Sequence, residues 1–123
     1  MDYVATTNAP GAIGPYSQAI KAGGFLFTSG QIPINPASGA VEAQTIEEQA
    51  TQVCENLKAV AEAAGTSLDK TVKTTCFLAD ISDFAAFNEV YAKYFTGKPA
   101  RSGVAVKDLP KGVLCEVELV AEL

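Results

Sequence analysis

The alternation of hydrophobic and polar positions predicts three short strands in the first forty residues. The segment "YVATT" fits a first strand, and "YSQAIKAGG" and "FLFTSG" fit two more. Gly23 and Gly24 separate the last two and are typical of a hairpin turn, so we expect these strands to be antiparallel neighbours. The segments "NAPGAIGP" and "IPINPASGA" are rich in turn residues and are expected to be loops.

The period of the apolar positions becomes helical after residue 44. Thr45 and Glu48 form a capping-box pattern, and Gly65 is a natural end for a helix. We therefore predict a helix over residues 45 to 64. Its apolar stripe is narrow and rich in alanine, which favours close packing on a sheet; the stripe contains Ile46, Ala50, Val53, Leu57, Val60 and Ala64.

A further strand and a second helix follow. The segment "TVKTTCFLAD", residues 71 to 80, is rich in β-branched residues and is predicted to be a strand. Ser82 is the expected cap of a helix over about 83 to 95, which Gly97 and Pro99 end. One face of this helix is strongly aromatic and contains Phe84, Phe87, Val90, Tyr91, Tyr94 and Phe95.

The last two predicted strands, about 101 to 107 and 113 to 121, are joined by "DLPKG" and are expected to form a hairpin. The order β-β-β-α-β-α-β-β predicts an α+β fold, with two helices on one face of a mixed six-stranded sheet. The length suggests one domain over residues 1–123. Two helices cover only one sheet face, so a partner subunit is expected to cover the other if it is apolar.

Charge and the absence of targeting patterns narrow the class of protein. The net charge is −5, from 9 basic and 14 acidic residues, and the basic residues are scattered singly. A nucleic-acid-binding protein usually has a basic patch, so this pattern argues against a nucleic-acid partner. No signal peptide and no membrane-spanning run is recognisable, so we expect a soluble cytoplasmic protein with no membrane partner.

The absence of histidine restricts the chemistry. The chain has no histidine, which excludes a Ser-His or Cys-His nucleophile pair and a histidine-ligated zinc. The cysteines, Cys54, Cys76 and Cys115, fall at or beside apolar positions and are expected to be buried, structural thiols. Acid–base chemistry must therefore come from Glu, Asp, Tyr, Lys or ordered water.

Arg101 and Glu116 are the leading candidates for chemistry. Arg101 stands among small residues in "PARSG", where its guanidinium has room to bind a carboxylate. Glu116 shares a half-apolar strand face with Glu118, a setting that can raise a pKa and produce a base. In a hairpin the two would be offset by about 10 Å, so they would flank one ligand or meet across a subunit boundary. An ordinary surface arginine and a solvated strand face remain the alternatives.

Four other positions are weaker candidates for ligand contacts. Tyr16 follows a Gly-Pro turn, Ser29 and Gly30 stand at a strand end, and Asn88 borders the aromatic helix face. Each also has an ordinary structural interpretation: a packed aromatic ring, a turn, and an exposed boundary residue.

Five blocks, in order and at similar spacing over nearly the whole chain, resemble the RidA (YjgF) family of enamine/imine deaminases. They are "GAIGPYSQA", "TSGQIPINPASG", "DFAAFNEVYAKYF", "PARSGVAV" and "LPKGVLCEVELVA". The resemblance implies a chorismate-mutase-like fold assembled as a homotrimer, with ligand clefts between subunits. It also implies hydrolysis of 2-imino acids and their enamines, such as 2-iminobutanoate and 2-aminoacrylate, to 2-keto acids and ammonia, without cofactor or metal.

By position, the resemblance assigns carboxylate binding to Arg101 and water activation to Glu116. It assigns the cleft lining to Tyr16, Ser29, Gly30 and Asn88. Gly103 stands where the family's archetypes have cysteine; the resemblance implies a backbone contact there and a small gap in place of the side chain. A trimeric protein that only binds or senses 2-keto acids is the main alternative. A ribonuclease or translation inhibitor is disfavoured by the acidic charge and the lack of histidine.

Overall fold

The chain forms the six strands and two α-helices in the predicted order. The computed structural model describes residues 1–123. The strands are β1 (Asp2–Val4), β2 (Ala19–Ala22), β3 (Phe25–Thr28), β4 (Thr71–Leu78), β5 (Ala100–Ala105) and β6 (Cys115–Glu122), and the helices are α1 (Ile46–Ala63) and α2 (Phe84–Tyr94). They form one mixed sheet in the order β1-β2-β3-β6-β4-β5, parallel only between β4 and β5.

The ends of α1 confirm the capping prediction, whereas the start of α2 differs from it. Thr45 Oγ1 accepts a hydrogen bond from the Glu48 N–H at 3.2 Å, and the Glu48 carboxylate accepts one from the Thr45 N–H at 3.3 Å. Ser82 is not the cap of α2. It lies inside a short 3-10 turn, where the Asp80 carboxylate accepts its N–H at 2.9 Å, so the capping interaction occurs one turn earlier than predicted.

The hairpin predicted between β2 and β3 is confirmed, with Gly23 and Gly24 at positive φ in its turn. The hairpin predicted between the last two strands is wrong. β5 pairs in parallel with β4, and β6 lies between β3 and β4. The connecting segment passes the end of β4, where the Val106 N–H donates to the Leu78 carbonyl at 2.9 Å. The apolar β6 gains neighbours on both sides, and the polar β5 remains at the edge.

The core lies between the two helices and one face of the sheet. Leu26, Leu78 and Val117 from the sheet pack with Leu57 of α1 and Phe87 of α2 in one buried cluster. Both helices therefore cover the same face, as predicted. Cys54, Cys76 and Cys115 are free and fully buried in this cluster, which confirms their structural placement.

The other sheet face is not covered by any element of the chain. Phe25, Phe27 and Val104 on this face are 37%, 46% and 43% exposed. Glu116 and Glu118 of β6 share the face, because the alternate residues of that strand point into the core. The face is thus apolar with a central acidic pair. Neither helix is long and apolar enough to cross a membrane.

Candidate functional site

Arg101 lies at the start of β5 with its side chain held against α2. Its Nη1 donates a hydrogen bond to Asn88 Oδ1 at 2.7 Å. Its Cζ lies 5.1 Å from the centre of the Phe84 ring and 4.8 Å from that of Tyr91. These three residues are spaced i, i+4 and i+7 along α2 and so form one stripe. A guanidinium has five N–H groups, so several remain to bind a planar anion after the bond to Asn88.

Tyr91 is held in place by contacts with buried core residues. Its hydroxyl is 2.7 Å from Thr74 Oγ1, and its ring stacks on Phe95 with the ring centres 4.5 Å apart. Burial raises the pKa of Tyr91, so the ring remains a neutral phenol beneath the cation. Beside the guanidinium is a cavity of about 350 Å³, here called the Arg101 pocket, lined by Asn88, Tyr91, Phe95, Lys98, Pro99 and Arg101 among others.

Gly103 lies two residues beyond Arg101 and points to the same side of β5. A Cβ built at Gly103 would lie 3.0 Å from Phe84 Cε2 and closer still to Cζ. The expectation of a small gap at this position is therefore wrong, because the ring of Phe84 fills the space. Gly103 does not have a left-handed φ, so its backbone conformation does not require glycine. Glycine is needed here because any side chain would collide with the Phe84 ring.

Glu116 lies on the uncovered face of β6, in a second cavity of about 630 Å³. This Glu116 pocket is lined mainly by the loops around residues 10–16, 29–39 and 110–111. Burial raises the pKa of Glu116, and repulsion from the Glu118 carboxylate raises it further. A Cβ at Gly30 would lie 2.9 Å from Glu116 Cδ and would collide with Oε2. Because Gly30 has no side chain, the Glu116 carboxylate has room to lie at this position.

Ser29 and Tyr16 border the same pocket. Ser29 Oγ donates to the Ser17 carbonyl at 2.6 Å, which uses its proton and leaves its oxygen free to accept. The side chain of Tyr16 is 52% exposed, and its N–H donates to the Gly14 carbonyl at 2.8 Å. Buried Gln18 holds this segment in place, since its amide donates to the Thr6 and Pro10 carbonyls at 3.0 and 2.7 Å.

Six of the seven predicted site positions line two pockets that one chain does not bring together, and the seventh, Gly103, lies against Phe84 beside Arg101. Tyr16, Ser29, Gly30 and Glu116 line the Glu116 pocket, whereas Asn88 and Arg101 line the Arg101 pocket. Arg101 is paired in register with buried Thr74, on the helix side of the sheet, and Glu116 is paired with Phe77, on the opposite side. The two groups therefore lie on opposite faces of the sheet.

A third cavity, of about 720 Å³, is the largest but has no comparable chemistry. It lies between the outer surface of α1 and the loops around residues 6–8 and 35–36. Its buried amide, Asn56, already donates to the carbonyls of Ile32 and Ile34 at 3.2 and 3.0 Å. No buried polar group there lacks a partner.

Sequence reasoning missed the two rings beside the guanidinium and one lysine. Phe84 and Tyr91 were predicted only as members of an aromatic helix face. Their spacing around Asn88 was an available signal, because a stripe of that period faces a single neighbour. Lys111 lines the Glu116 pocket with a left-handed φ of 57°. The Pro-Lys-Gly sequence signalled a turn but not its place beside Glu116.

A family model described as "Endoribonuclease L-PSP" matches residues 6–123. The chain is 55% identical over 121 residues to the RutC family protein PH0854 of Pyrococcus horikoshii, covering 98% of this chain and 96% of that protein. It is 49% identical over 122 residues to the 2-iminobutanoate/2-iminopropanoate deaminase of Salmonella typhimurium, covering 96% and 94%. The solved structure of Escherichia coli TdcF with bound serine superposes with a TM-score of 0.95 at 43% identity, covering 100% of this chain and 99% of that one.

Proposed function

The chain belongs to the RidA (YjgF) family, and we propose that it hydrolyses reactive 2-imino acids and their enamine tautomers to 2-keto acids and ammonia. The observation that carries this proposal is the chemistry of the two half-sites. One presents a guanidinium with unused donors, and the other presents a carboxylate of raised pKa in a largely apolar pocket. Relatives named as deaminases of 2-iminobutanoate and 2-iminopropanoate support this substrate class.

The two half-sites meet between subunits of a homotrimer. Because Arg101 and Glu116 lie on opposite faces of one sheet, a single cleft can contain both only if different protomers supply them. The uncovered apolar face that carries Glu116 supports such an interface. Closed rings form when each interface joins two different surfaces of the protomer, which is the arrangement required here.

Arg101 binds the carboxylate of the substrate. A planar guanidinium pairs with a carboxylate through two parallel hydrogen bonds, which fixes both the position and the plane of the ligand. Asn88 and the rings of Phe84 and Tyr91 hold the guanidinium before the ligand arrives. This binding places C2 of the imine near the Glu116 carboxylate, and much of the catalysis is this positioning. Tyr16, Ser29, Gly30 and the backbone at Gly103 line the same cleft.

Glu116 activates the water. The carboxylate takes a proton as the water oxygen attacks C2, and the C=N double bond becomes a single bond to a tetrahedral carbinolamine. Glu116 then returns the proton to nitrogen and transfers the hydroxyl proton of the carbinolamine to the same nitrogen, so that the C–N bond breaks and ammonia leaves as the keto group forms. A raised pKa suits both steps, because the same group must accept and then donate a proton. An enamine enters this sequence as its imine tautomer.

The roles of Arg101 and Glu116 can be separated by kinetics. Arg101→Lys keeps the charge but cannot form the two parallel hydrogen bonds to a carboxylate. Its kcat/KM should therefore fall by about 10²-fold or more, and product binding should weaken with it. Glu116→Gln removes the base but is nearly isosteric. Its kcat should fall by about 10²- to 10⁴-fold while the affinity for 2-oxobutanoate stays close to wild type. The assay generates 2-iminobutanoate in situ with a dehydratase, and calorimetry measures 2-oxobutanoate binding.

Glu122→Gln is a matched control, because Glu122 is an exposed glutamate on the same strand and should leave both measurements unchanged. A Glu116→Gln protein that hydrolyses 2-iminobutanoate at the wild-type rate would disprove water activation. If the wild-type protein binds 2-oxobutanoate but does not accelerate imine hydrolysis, the chain is instead a small-carboxylate-binding protein. Normal binding and turnover by Arg101→Lys would leave Arg101 as a surface residue.

A further inference from the structure

The Phe84 ring, unlike the Tyr91 ring on another side of Arg101, has no hydrogen bond to hold it in place. Tyr91 is fixed by its hydroxyl bond to Thr74 and by stacking on Phe95. Phe84 has no polar group, and its ring contacts Phe87 edge-on with the ring centres 6.3 Å apart. The ring also packs against the edge of the core, lies 5.1 Å from the Arg101 Cζ, and occupies the space that a Cβ at Gly103 would take. The position of Phe84 therefore depends on the space that Gly103 leaves open.

Gly103 cannot move away from the ring easily. It lies in the middle of β5 and is paired in register with Cys76, between the pairs that Ser102 and Val104 form with β4. Cys76 is fully buried, so the sheet backbone at this point is tied to the core. An added methyl group at position 103 would therefore displace the ring, since the strand is held on its paired side.

We propose that Phe84 is a positioning residue for Arg101, and that Gly103 is required in this chain because the ring occupies the space of a Cβ. The ring lies against one side of the guanidinium, Tyr91 lies against another, and Asn88 holds Nη1. Together they set the plane in which Arg101 can bind a carboxylate. This inference rests on the proposed carboxylate-binding role of Arg101, but the contact between ring and guanidinium can be tested without it.

Three variants and one control test the arrangement. Phe84→Leu removes the flat ring and keeps an apolar side chain, Gly103→Ala pushes the intact ring away, and the double variant combines both. Tyr94→Leu is the control, because it removes an aromatic ring from the same helix whose hydroxyl bonds to Glu55 and not to the Arg101 group. Circular dichroism and thermal melting show whether each variant is folded.

The first measurement is the NMR signal of the Arg101 side chain, which the ring current of Phe84 shifts. Phe84→Leu and Gly103→Ala should both move the Arg101 Nε–Hε resonance, and Tyr94→Leu should leave it in place. If Phe84→Leu leaves this resonance unchanged, the ring does not position the guanidinium and the proposal is overturned. Because no ligand is needed, this result decides the contact even if the protein proves to have no deaminase activity.

The second measurement is the affinity for 2-oxobutanoate, together with the separate changes in KM and kcat for imine hydrolysis. We expect Phe84→Leu to weaken binding by about 3- to 30-fold, the range of a cation–π contact between exposed and desolvated settings, with a similar rise in KM. The value of kcat should change much less, because Glu116 is untouched. A loss of melting temperature without any loss of affinity would make the role of the ring purely structural and overturn the proposal.

The double variant tests whether the effects of Phe84 and Gly103 depend on each other. Once Phe84 is replaced by the shorter leucine, an alanine at position 103 no longer meets a ring, so Gly103→Ala should have little further effect. Fully additive losses would show that Gly103 and Phe84 act independently. A wild-type protein that binds no 2-oxobutanoate and hydrolyses no imine would refute the proposed function, and the NMR comparison would still decide this inference.

Discussion

Glu116 lies where its ionised form lowers the stability of the folded protein. It is half-buried, its carboxylate lies against the backbone of Gly30, and Glu118 stands two residues away on the same face. Burial and the neighbouring charge both raise its pKa. A raised pKa in the folded state means that folding favours the protonated form, so the ionised form is less stable in the native protein than in the unfolded chain.

This argument predicts a pH-dependent stability difference between wild type and Glu116→Gln. The stability contributed by protonated Glu116 is complete below its unfolded pKa of about 4.3 and is lost as the pH rises through the higher folded pKa. Glu116→Gln should therefore melt at a higher temperature than wild type at pH 7, and the difference should shrink as the pH falls toward 4. Thermal melts across this range measure it, with Glu122→Gln as the control.

The same shift predicts where activity is lost in acid. Because the base must be ionised, the acid limb of kcat/KM should lie above the ordinary glutamate range. It should move to lower pH in Glu118→Gln, where the repelling charge is absent. A melting difference that stays constant with pH, together with an acid limb that Glu118→Gln does not move, would show that Glu116 is not the group responsible.

At the scale of elements, the packing of α1 on the central strands explains why the three cysteines are buried and unreactive. Cys54 on α1, Cys76 on β4 and Cys115 on β6 are all buried in the core between the helix and the sheet. Burial raises the pKa of Cys76 to about 11 and that of Cys115 to about 12, and it raises the pKa of Cys54 as well. Such thiols act as small apolar side chains and are poor nucleophiles.

We therefore predict that alkylation of the native protein leaves its activity nearly unchanged. At pH 8 a thiol with a pKa of about 11 is ionised in about one molecule per thousand, and the sheet and helices also block access to it. Iodoacetamide treatment followed by mass spectrometry and the imine assay provides the measurement. In concentrated urea all three thiols should react. Rapid, stoichiometric inactivation that 2-oxobutanoate prevents would reveal a cysteine in the cleft.

At the scale of the whole molecule, the proposed cleft between subunits would make the oligomeric state a condition for the proposed activity. Arg101 and Glu116 are on opposite faces of one sheet, and the face with Glu116 is apolar and uncovered. Two inactive variants should then complement each other. In a mixed ring, the intact Arg101 of a Glu116→Gln subunit can face the intact Glu116 of an Arg101→Lys subunit.

The predicted result is a partial return of activity when the two variants are unfolded together and refolded as a mixture. In a three-membered ring with one interface type, each mixed trimer contains about one intact cleft in three. Random mixing should therefore restore about a quarter of the wild-type activity. Each variant refolded alone is the control. No recovery in trimers shown to be mixed would exclude a shared cleft, and light scattering that shows a stable monomer would exclude the trimer.

Local chemistry in the sequence determined the kinds of elements and many of their ends. The capping pair Thr45 and Glu48, the Gly23-Gly24 turn and the aromatic face of the second helix act over a few residues, so their effects can be predicted from neighbours along the chain. The burial of the cysteines followed from apolar periodicity. The candidates Arg101 and Glu116 came from residue type and family resemblance, and the sequence alone left an ordinary surface role open for each.

Only the tertiary structure decided which strands are neighbours and which side chains share a face. The last two strands looked like a hairpin, yet β6 pairs between β3 and β4 because its buried residues need support on both sides, a non-local requirement. That pairing puts Arg101 and Glu116 on opposite faces. The filled space at Gly103 is likewise non-local, since Phe84 reaches it from a helix nineteen residues earlier in the chain. The periodicity of apolar residues indicates which secondary structure and which degree of burial each segment favours, but contacts between distant segments depend on how the whole chain packs.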